Sequence, residues 1–287
     1  MSAWQRRLGT RLLLGGVLAC AALPATAATL PGAPLVHVAV TVPPQAWLVR
    51  RLAGDRAEVE VMLPPGVSEH TYEPTPQQVA RLSAARLVVE VGHPALLFER
   101  RLLDAMRSER RMGTLVVDMS RHAPPESDPH LWVSPAAMRG AAVDVASALA
   151  KLDPAAAALY ARRLPGVLAA IDDTARDVRA QLCAARGRRL YVYHPAWAHL
   201  LHDCGITQVA IEAEGKEPSA RQLVALVEAA RRDRARMLFV QRGFSARPAE
   251  QIAQEIGARV VAVDPLAEDW PTNLRAVARL FREALDG

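Results

Sequence analysis

A chain of 287 residues, 51% of them hydrophobic, has material for two domains of ordinary size, and this excludes a disordered chain. Its formal net charge of +5 falls to +2 once Arg6, Arg7 and Arg11 of the N-terminal leader are set aside, too small an excess for a nucleic-acid footprint. Aromatic residues make up only 5% and alanine is abundant, a balance that suits amphipathic helices around small sheets.

Residues 1–28 read as a cleaved export signal. Arg6, Arg7 and Arg11 form a positive start, Leu12 to Leu23 an apolar run, and Ala25-Thr26-Ala27 a small-residue cleavage site. The run is shorter than the ~20 residues that a membrane span needs. Val17-Leu18-Ala19-Cys20 offers an alternative, a lipoprotein box with Cys20 acylated. Both readings put the mature chain outside the cytoplasm. There only Cys183 and Cys204 remain, a candidate disulfide in an oxidising compartment. Neither has the paired spacing of a thiolate metal site.

Short β-branched apolar runs follow in chain order: Leu35–Thr41, Ala57–Leu63, Arg86–Val91 and Thr114–Asp118, then Arg189–Tyr193, Gln208–Glu212, Met237–Val240 and Arg259–Val263. Between them, Pro76–Ala84, Leu96–Arg107 and Ala220–Arg231 carry helical spacing. Strand–helix alternation predicts an α/β protein of two lobes, each a four-stranded, mostly parallel sheet flanked by helices. The alanine-rich stretch from Ala136 to Arg186 lacks any strand-like run and is broken at Asp153-Pro154 and Leu164-Pro165-Gly166. It predicts one long linking helix, from about Gly166 to Ala185, with a cleft between the halves. The division is an N-terminal lobe over 29–160, a link over 161–186 and a C-terminal lobe over 187–287.

His70, His130, His194 and Asp264 stand out by position. His70 and His130 lie in loops, while His194 and Asp264 directly follow predicted strands. Ligands of open parallel sheets sit beyond the carboxyl ends of strands, and three imidazoles with a carboxylate can hold a borderline metal. Taken singly, each histidine reads as readily as a loop or capping residue, and Asp264 before Pro265 as a turn starter. His37, His93, His122, His199 and His202 read as structural or solvent-exposed.

Several motifs occur together and in order: Thr41-Val42-Pro43-Pro44-Gln45, the run Gly66-Val67-Ser68-Glu69-His70-Thr71-Tyr72-Glu73-Pro74, and Asp128-Pro129-His130-Leu131-Trp132. Tyr193-His194-Pro195-Ala196-Trp197, Glu217-Pro218-Ser219 and Asp264-Pro265-Leu266 complete them. In these the chain resembles the ABC-transporter solute-binding proteins for zinc and manganese, the zinc-uptake and adhesin-like cluster. The resemblance covers nearly all of the mature chain. It implies a periplasmic, monomeric metal-binding protein, not an enzyme, that delivers its ion to the membrane permease of an ABC importer. It also implies one metal in the cleft, held by His70, His130, His194 and a carboxylate. Asp264 matches the family position near the C-terminus, and Glu69 is the alternative fourth ligand. Many zinc-binding members carry a long His- and acid-rich loop; here Ser120 to Ser127 is short and holds only His122.

Three nitrogens and one carboxylate suit tetrahedral Zn²⁺, whereas Mn²⁺ leans on oxygen ligands. Zinc is therefore the expected metal, with manganese and iron as alternatives. A secreted zinc enzyme is the competing class, and the chain has no His-Glu-x-x-His helix for one. An adhesin on the same fold is the other alternative.

Overall fold

The computed structural model describes residues 35–109, 113–124, 128–212, 218–243 and 246–286. The expected export signal and the Cys20 alternative lie outside the described residues.

The first lobe runs β1 (Val36–Val40), α1 (Pro43–Ala53), β2 (Ala57–Val61), α2 (Pro76–Ser83), β3 (Leu87–Glu90), α3 (Leu97–Glu109), β4 (Leu115–Asp118) and α4 (Pro135–Leu152). After α5 (Ala157–Leu182), the second lobe runs β5 (Arg189–Val192), α6 (Ala198–Leu201), β6 (Thr207–Ala210), α7 (Ala220–Arg232), β7 (Met237–Gln241), α8 (Ala246–Ile256), β8 (Arg259–Val263) and α9 (Trp270–Leu285). The sheets are four-stranded, ordered β2-β1-β3-β4 and β6-β5-β7-β8. Every pairing is parallel, so the mostly parallel sheets expected from the sequence are wholly parallel among the described strands. Helices cover both faces of such sheets, which is why the strands read as unbroken apolar runs, Leu87-Val88-Val89 and Met237-Leu238-Phe239-Val240 among them, all buried. In each sheet the strand order reverses at a central strand, β1 or β5. That leaves a crevice at the carboxyl ends.

Local chemistry fixes where the loops over that crevice end. Thr75 caps α2: its hydroxyl accepts the Gln78 N–H, Gln78 Oε1 accepts the Thr75 N–H at 2.9 Å, and Pro76 fills the first helical position. Ser134 followed by Pro135 starts α4 in a similar way.

Helix α5 begins at Ala157, earlier than the sequence pattern suggests, and runs straight through Leu164-Pro165-Gly166. Pro165 removes the bond to the Ala161 carbonyl, and Ala161 and Pro165 both face solvent. Tyr160, Val167, Ile171, Val178 and Leu182 are buried on the other side. At about 1.5–3 kcal/mol for each large side chain buried, they outweigh the roughly 3 kcal/mol that a mid-helix proline costs. The helix packs on α1 and α4 of the first lobe and α9 of the second. One hydrophobic cluster contains side chains from both sheets and from α5. Two further ties hold the ends of this helix. Arg56 Nη2 donates to Asp153 Oδ2 at 2.6 Å, and Tyr160 Oη donates to the same oxygen at 2.8 Å. Cys183 and Cys204 are joined, Cα to Cα 4.4 Å, linking the end of α5 to the turn after α6.

Candidate metal centre

Beyond β2 the chain keeps pairing for two residues, with Met62 N–H on Val40 O and Leu63 N–H on Thr41 O. It then turns through Pro64-Pro65-Gly66, where Gly66 has φ +75°. A tight turn follows: Thr71 and Tyr72 N–H both donate to Ser68 O, and Ser68 Oγ accepts the His70 N–H at 3.2 Å. This turn presents consecutive residues, Glu69 and His70, to the crevice. Glu69 is fully buried and His70 partly so.

His130 is set by its own tripeptide. Asp128 Oδ1 accepts both the His130 N–H at 2.9 Å and the ring Nδ1–H at 2.7 Å. The ring meets Trp132 edge-on, centroids 5.1 Å apart. His194 stands two residues past the end of β5, and its Nδ1 is hydrogen-bonded to the Glu212 carboxylate beyond β6. In both histidines Nδ1 carries the proton toward a carboxylate. That leaves Nε2 as the metal-facing donor and raises its basicity.

The Nε2 atoms converge. Those of His130 and His194 are 2.9 Å apart, and those of His70 and His194 3.2 Å. Glu69 Oε1 lies 3.3 Å from His130 Nε2, 3.5 Å from His194 Nε2 and 3.9 Å from His70 Nε2. Among the described residues, Glu69, His70, His130 and His194 form the group able to hold a metal, their donor atoms all within 4.8 Å of one another. A tetrahedron of ligands about 2.0–2.1 Å from zinc has edges of about 3.3–3.4 Å, and these separations bracket that length. Glu69 Oε1 is buried with no hydrogen-bond partner, although three ring nitrogens surround it. A buried carboxylate oxygen is costly unless positive charge meets it, from a protonated imidazole or a metal ion. The donor set fits a divalent metal.

Asp264 is not in this group. Its Oδ1 accepts the Leu266 N–H at 2.9 Å in the turn after β8, and its Oδ2 lies 3.9 Å from Arg242 Nε.

Charge reinforces the geometry. Burial pushes the Glu69 carboxyl up, but the imidazoles of His130 and His194 override it and hold the group well below the usual carboxylate range. Burial alone would lower His130; Asp128 and Glu69 reverse that and raise it to about 9. His70 is pushed down, chiefly by burial, which outweighs the pull of Glu69 and Glu212. Glu69, Asp128 and Glu212 thus surround three imidazoles with negative charge.

Four contributors escaped the sequence reading: Asp128, Glu212, Gln241 and His199. Gln241, the last residue of β7, donates from Nε2 to Glu69 Oε2 at 3.0 Å. His199, read as a structural or surface residue, donates from Nε2 to the Asp128 carbonyl at 2.8 Å and braces the loop of His130. Glu212 and Gln241 both end strand-like runs, so the strand-end rule that marked His194 applies to them equally. The remaining histidines lie elsewhere. His37 pairs with Glu58 across β1 and β2, His122 with Asp144, His93 Nδ1 accepts the Ala95 N–H, and His202 is exposed.

Residues 38–284 match the family described as zinc-uptake complex component A, periplasmic. The chain belongs to that family. Among zinc-uptake component A structures, a crystal structure of ZnuA superposes with a TM-score of 0.82 at 34% identity, covering 88% of this chain and 100% of that one. A zinc-bound deletion mutant of ZnuA gives 0.81 at 34% identity, with 88% and 98% covered. The high-affinity zinc uptake system protein ZnuA of Bacillus subtilis is 23% identical over 250 residues, 80% of this chain and 78% of its own. The iron-binding protein YfeA of Yersinia pestis is 27% identical over 239 residues, 77% and 75%. As a zinc-uptake component A protein, the chain is a metal-binding protein of an ABC importer and not an enzyme. The divalent metal is its cargo. Among the described residues, no helix is long and apolar enough to cross a membrane.

Proposed function

We propose that this protein captures Zn²⁺ through Glu69 Oε1 and the Nε2 atoms of His70, His130 and His194, and passes it as a periplasmic monomer to the permease of its importer. Export by the first 28 residues, with cleavage rather than acylation at Cys20, belongs to the same reading. So does the division into lobes over 29–160 and 187–287. The observation that carries the choice of ligands is the convergence of buried Glu69 Oε1, which makes no hydrogen bond, with three ring nitrogens. With Asp264 bound to its own turn, Glu69 takes the fourth place that the sequence motif first suggested for Asp264. Three nitrogens and one carboxylate oxygen form a closed tetrahedral set, which favours zinc over the oxygen-preferring manganese. The same closure leaves no position for a reacting water.

The test is competitive titration of metal-stripped protein with Zn²⁺, Mn²⁺ and Fe²⁺, beside elemental analysis of protein recovered from its own periplasm. One tight zinc per chain is expected, with Glu69→Gln weakening it by at least about tenfold and Asp264→Asn leaving it nearly unchanged. A larger loss in Asp264→Asn than in Glu69→Gln would return the fourth ligand to the β8 turn. Recovery of the chain loaded with manganese or iron would overturn the zinc assignment.

A further inference from the structure

Gln241 is 3% exposed and sits where β7 meets the crevice, with its backbone paired to Val263 in β8. Its side chain reaches across to Glu69, a residue 172 positions away on the other lobe. A carboxylate can only accept, so the amide must turn its N–H₂ end to Glu69 Oε2. The opposite end, Gln241 Oε1, is then left buried with no hydrogen-bond partner. Buried polar atoms are seldom left so, and an apolar side chain of this size would fill the same space without the defect. The feature peculiar to glutamine here is the donor it aims at one oxygen of Glu69.

That donor divides the two oxygens of a single carboxylate. Oε2 receives Gln241; Oε1 has no hydrogen-bond partner and faces the three imidazoles. We propose that Gln241 is a specificity-determining residue, which by occupying Oε2 restricts Glu69 to one coordinating oxygen and so holds the bound metal at four ligands. A carboxylate with both oxygens free can grip a cation at two points, adding an oxygen ligand and raising the coordination number. Higher, oxygen-richer coordination suits Mn²⁺, whereas the four-coordinate set suits Zn²⁺. The amide is well placed to act this way because it hangs from a paired strand rather than a loop.

This inference rests on Glu69 being the fourth ligand, so the experiment carries a control for that. Co²⁺ is bound to wild type, Gln241→Leu and Glu69→Gln, the visible d–d bands are recorded, and zinc and manganese are then competed against each other on each protein. Wild type should show the intense bands of a four-coordinate site. Gln241→Leu should show weakened bands, about 10–100-fold lower zinc affinity, and a zinc-over-manganese preference narrowed by at least about tenfold. Should Glu69→Gln leave the cobalt bands as in wild type, Glu69 is no ligand and the underlying reading fails. Should Glu69→Gln change them while Gln241→Leu keeps both the wild-type bands and the wild-type metal preference, the role given to Gln241 is overturned. If the leucine variant does not fold, judged by its thermal melt, Gln241→Asn makes the same test, since its amide falls a methylene short of Oε2.

Discussion

Asp128 Oδ1 holds His130 at two points, the backbone N–H at 2.9 Å and the ring Nδ1 at 2.7 Å, while the Asp128 carbonyl is itself held by His199. Glu212 holds His194 through the same ring nitrogen from the other lobe. These carboxylates fix the tautomer and aim of the ligand rings without offering an atom to the metal. Asp128→Ala and Glu212→Ala should therefore each lower zinc affinity by about 10–100-fold, with the fold retained. Asp128→Asn should lose less, because its amide oxygen still accepts from Nδ1 but lacks the charge. Competition against a chromophoric chelator measures all three. Wild-type affinity in Asp128→Ala would mean that packing against Trp132 alone aims the ring.

Much of this architecture is legible in the chain because parallel strands covered on both faces leave continuous apolar runs such as Leu87-Val88-Val89. His194 was legible because it follows such a run. Pro165 misled because helix-breaking signals are local, while the burial that carries α5 past it is tertiary. Glu69 and Asp264 show a different limit. Each is an acid near the crevice, and only the completed fold shows Asp264 turned to its own Leu266 N–H while Glu69 points inward. Gln241 ends a strand and so shared the positional signal of His194, but its partner lies 172 residues away and no local pattern points to it.

Backbone meets backbone across the two lobes at Gly243 and Gly66. Gly243 has φ +96°, and a Cβ built on it would stand 2.5 Å from Gly66 O, three residues before Glu69. Gly243→Ala should therefore act twice. The backbone conformation disfavours any side chain by about 1–2 kcal/mol, and the new methyl must push the ligand-bearing turn aside. A lower melting temperature and weaker zinc binding are expected together, though neither residue is a ligand. Lower stability with wild-type zinc affinity would show that the turn yields without moving Glu69 or His70.

The Cys183–Cys204 bridge closes a loop with a sequence separation of 21 and anchors the end of α5. A loop of that size stabilises by about 3 kcal/mol in the chain-entropy description. The double variant Cys183→Ser, Cys204→Ser should melt at a lower temperature under non-reducing conditions and bind zinc unchanged, because neither sulfur is among the donors. Reductant should lower the wild-type melt toward that of the variant. Equal melting of the two proteins without reductant would show that packing around α5 makes the bridge redundant.

Glu99, in the first turn of α3, is 1% exposed and receives Thr41 Oγ1 at 2.6 Å and the N–H groups of Val91 and Gly92 at 2.7 Å each. Burial pushes its carboxyl up to about 7 in spite of these three donors, and Glu90 adds to the rise. In the unfolded chain a glutamate titrates near about 4.3. Below that pH both states are protonated and the folded state keeps its full advantage. As pH climbs from about 4.3 to about 7 the unfolded chain ionises while the folded carboxyl stays protonated, and stability is lost, by up to about 4 kcal/mol in all, before levelling off. Glu99→Gln cannot ionise, so this slope should vanish, while an amide N–H₂ facing one of the backbone donors makes the variant less stable near pH 5. Urea melts of metal-free wild type and Glu99→Gln, from about pH 5 to about pH 8, measure the difference. Subtracting one curve from the other cancels the contribution of His130, whose raised value removes stability from about pH 6.5 upward in both proteins. Parallel curves across that range would show that the three donors keep Glu99 ionised throughout.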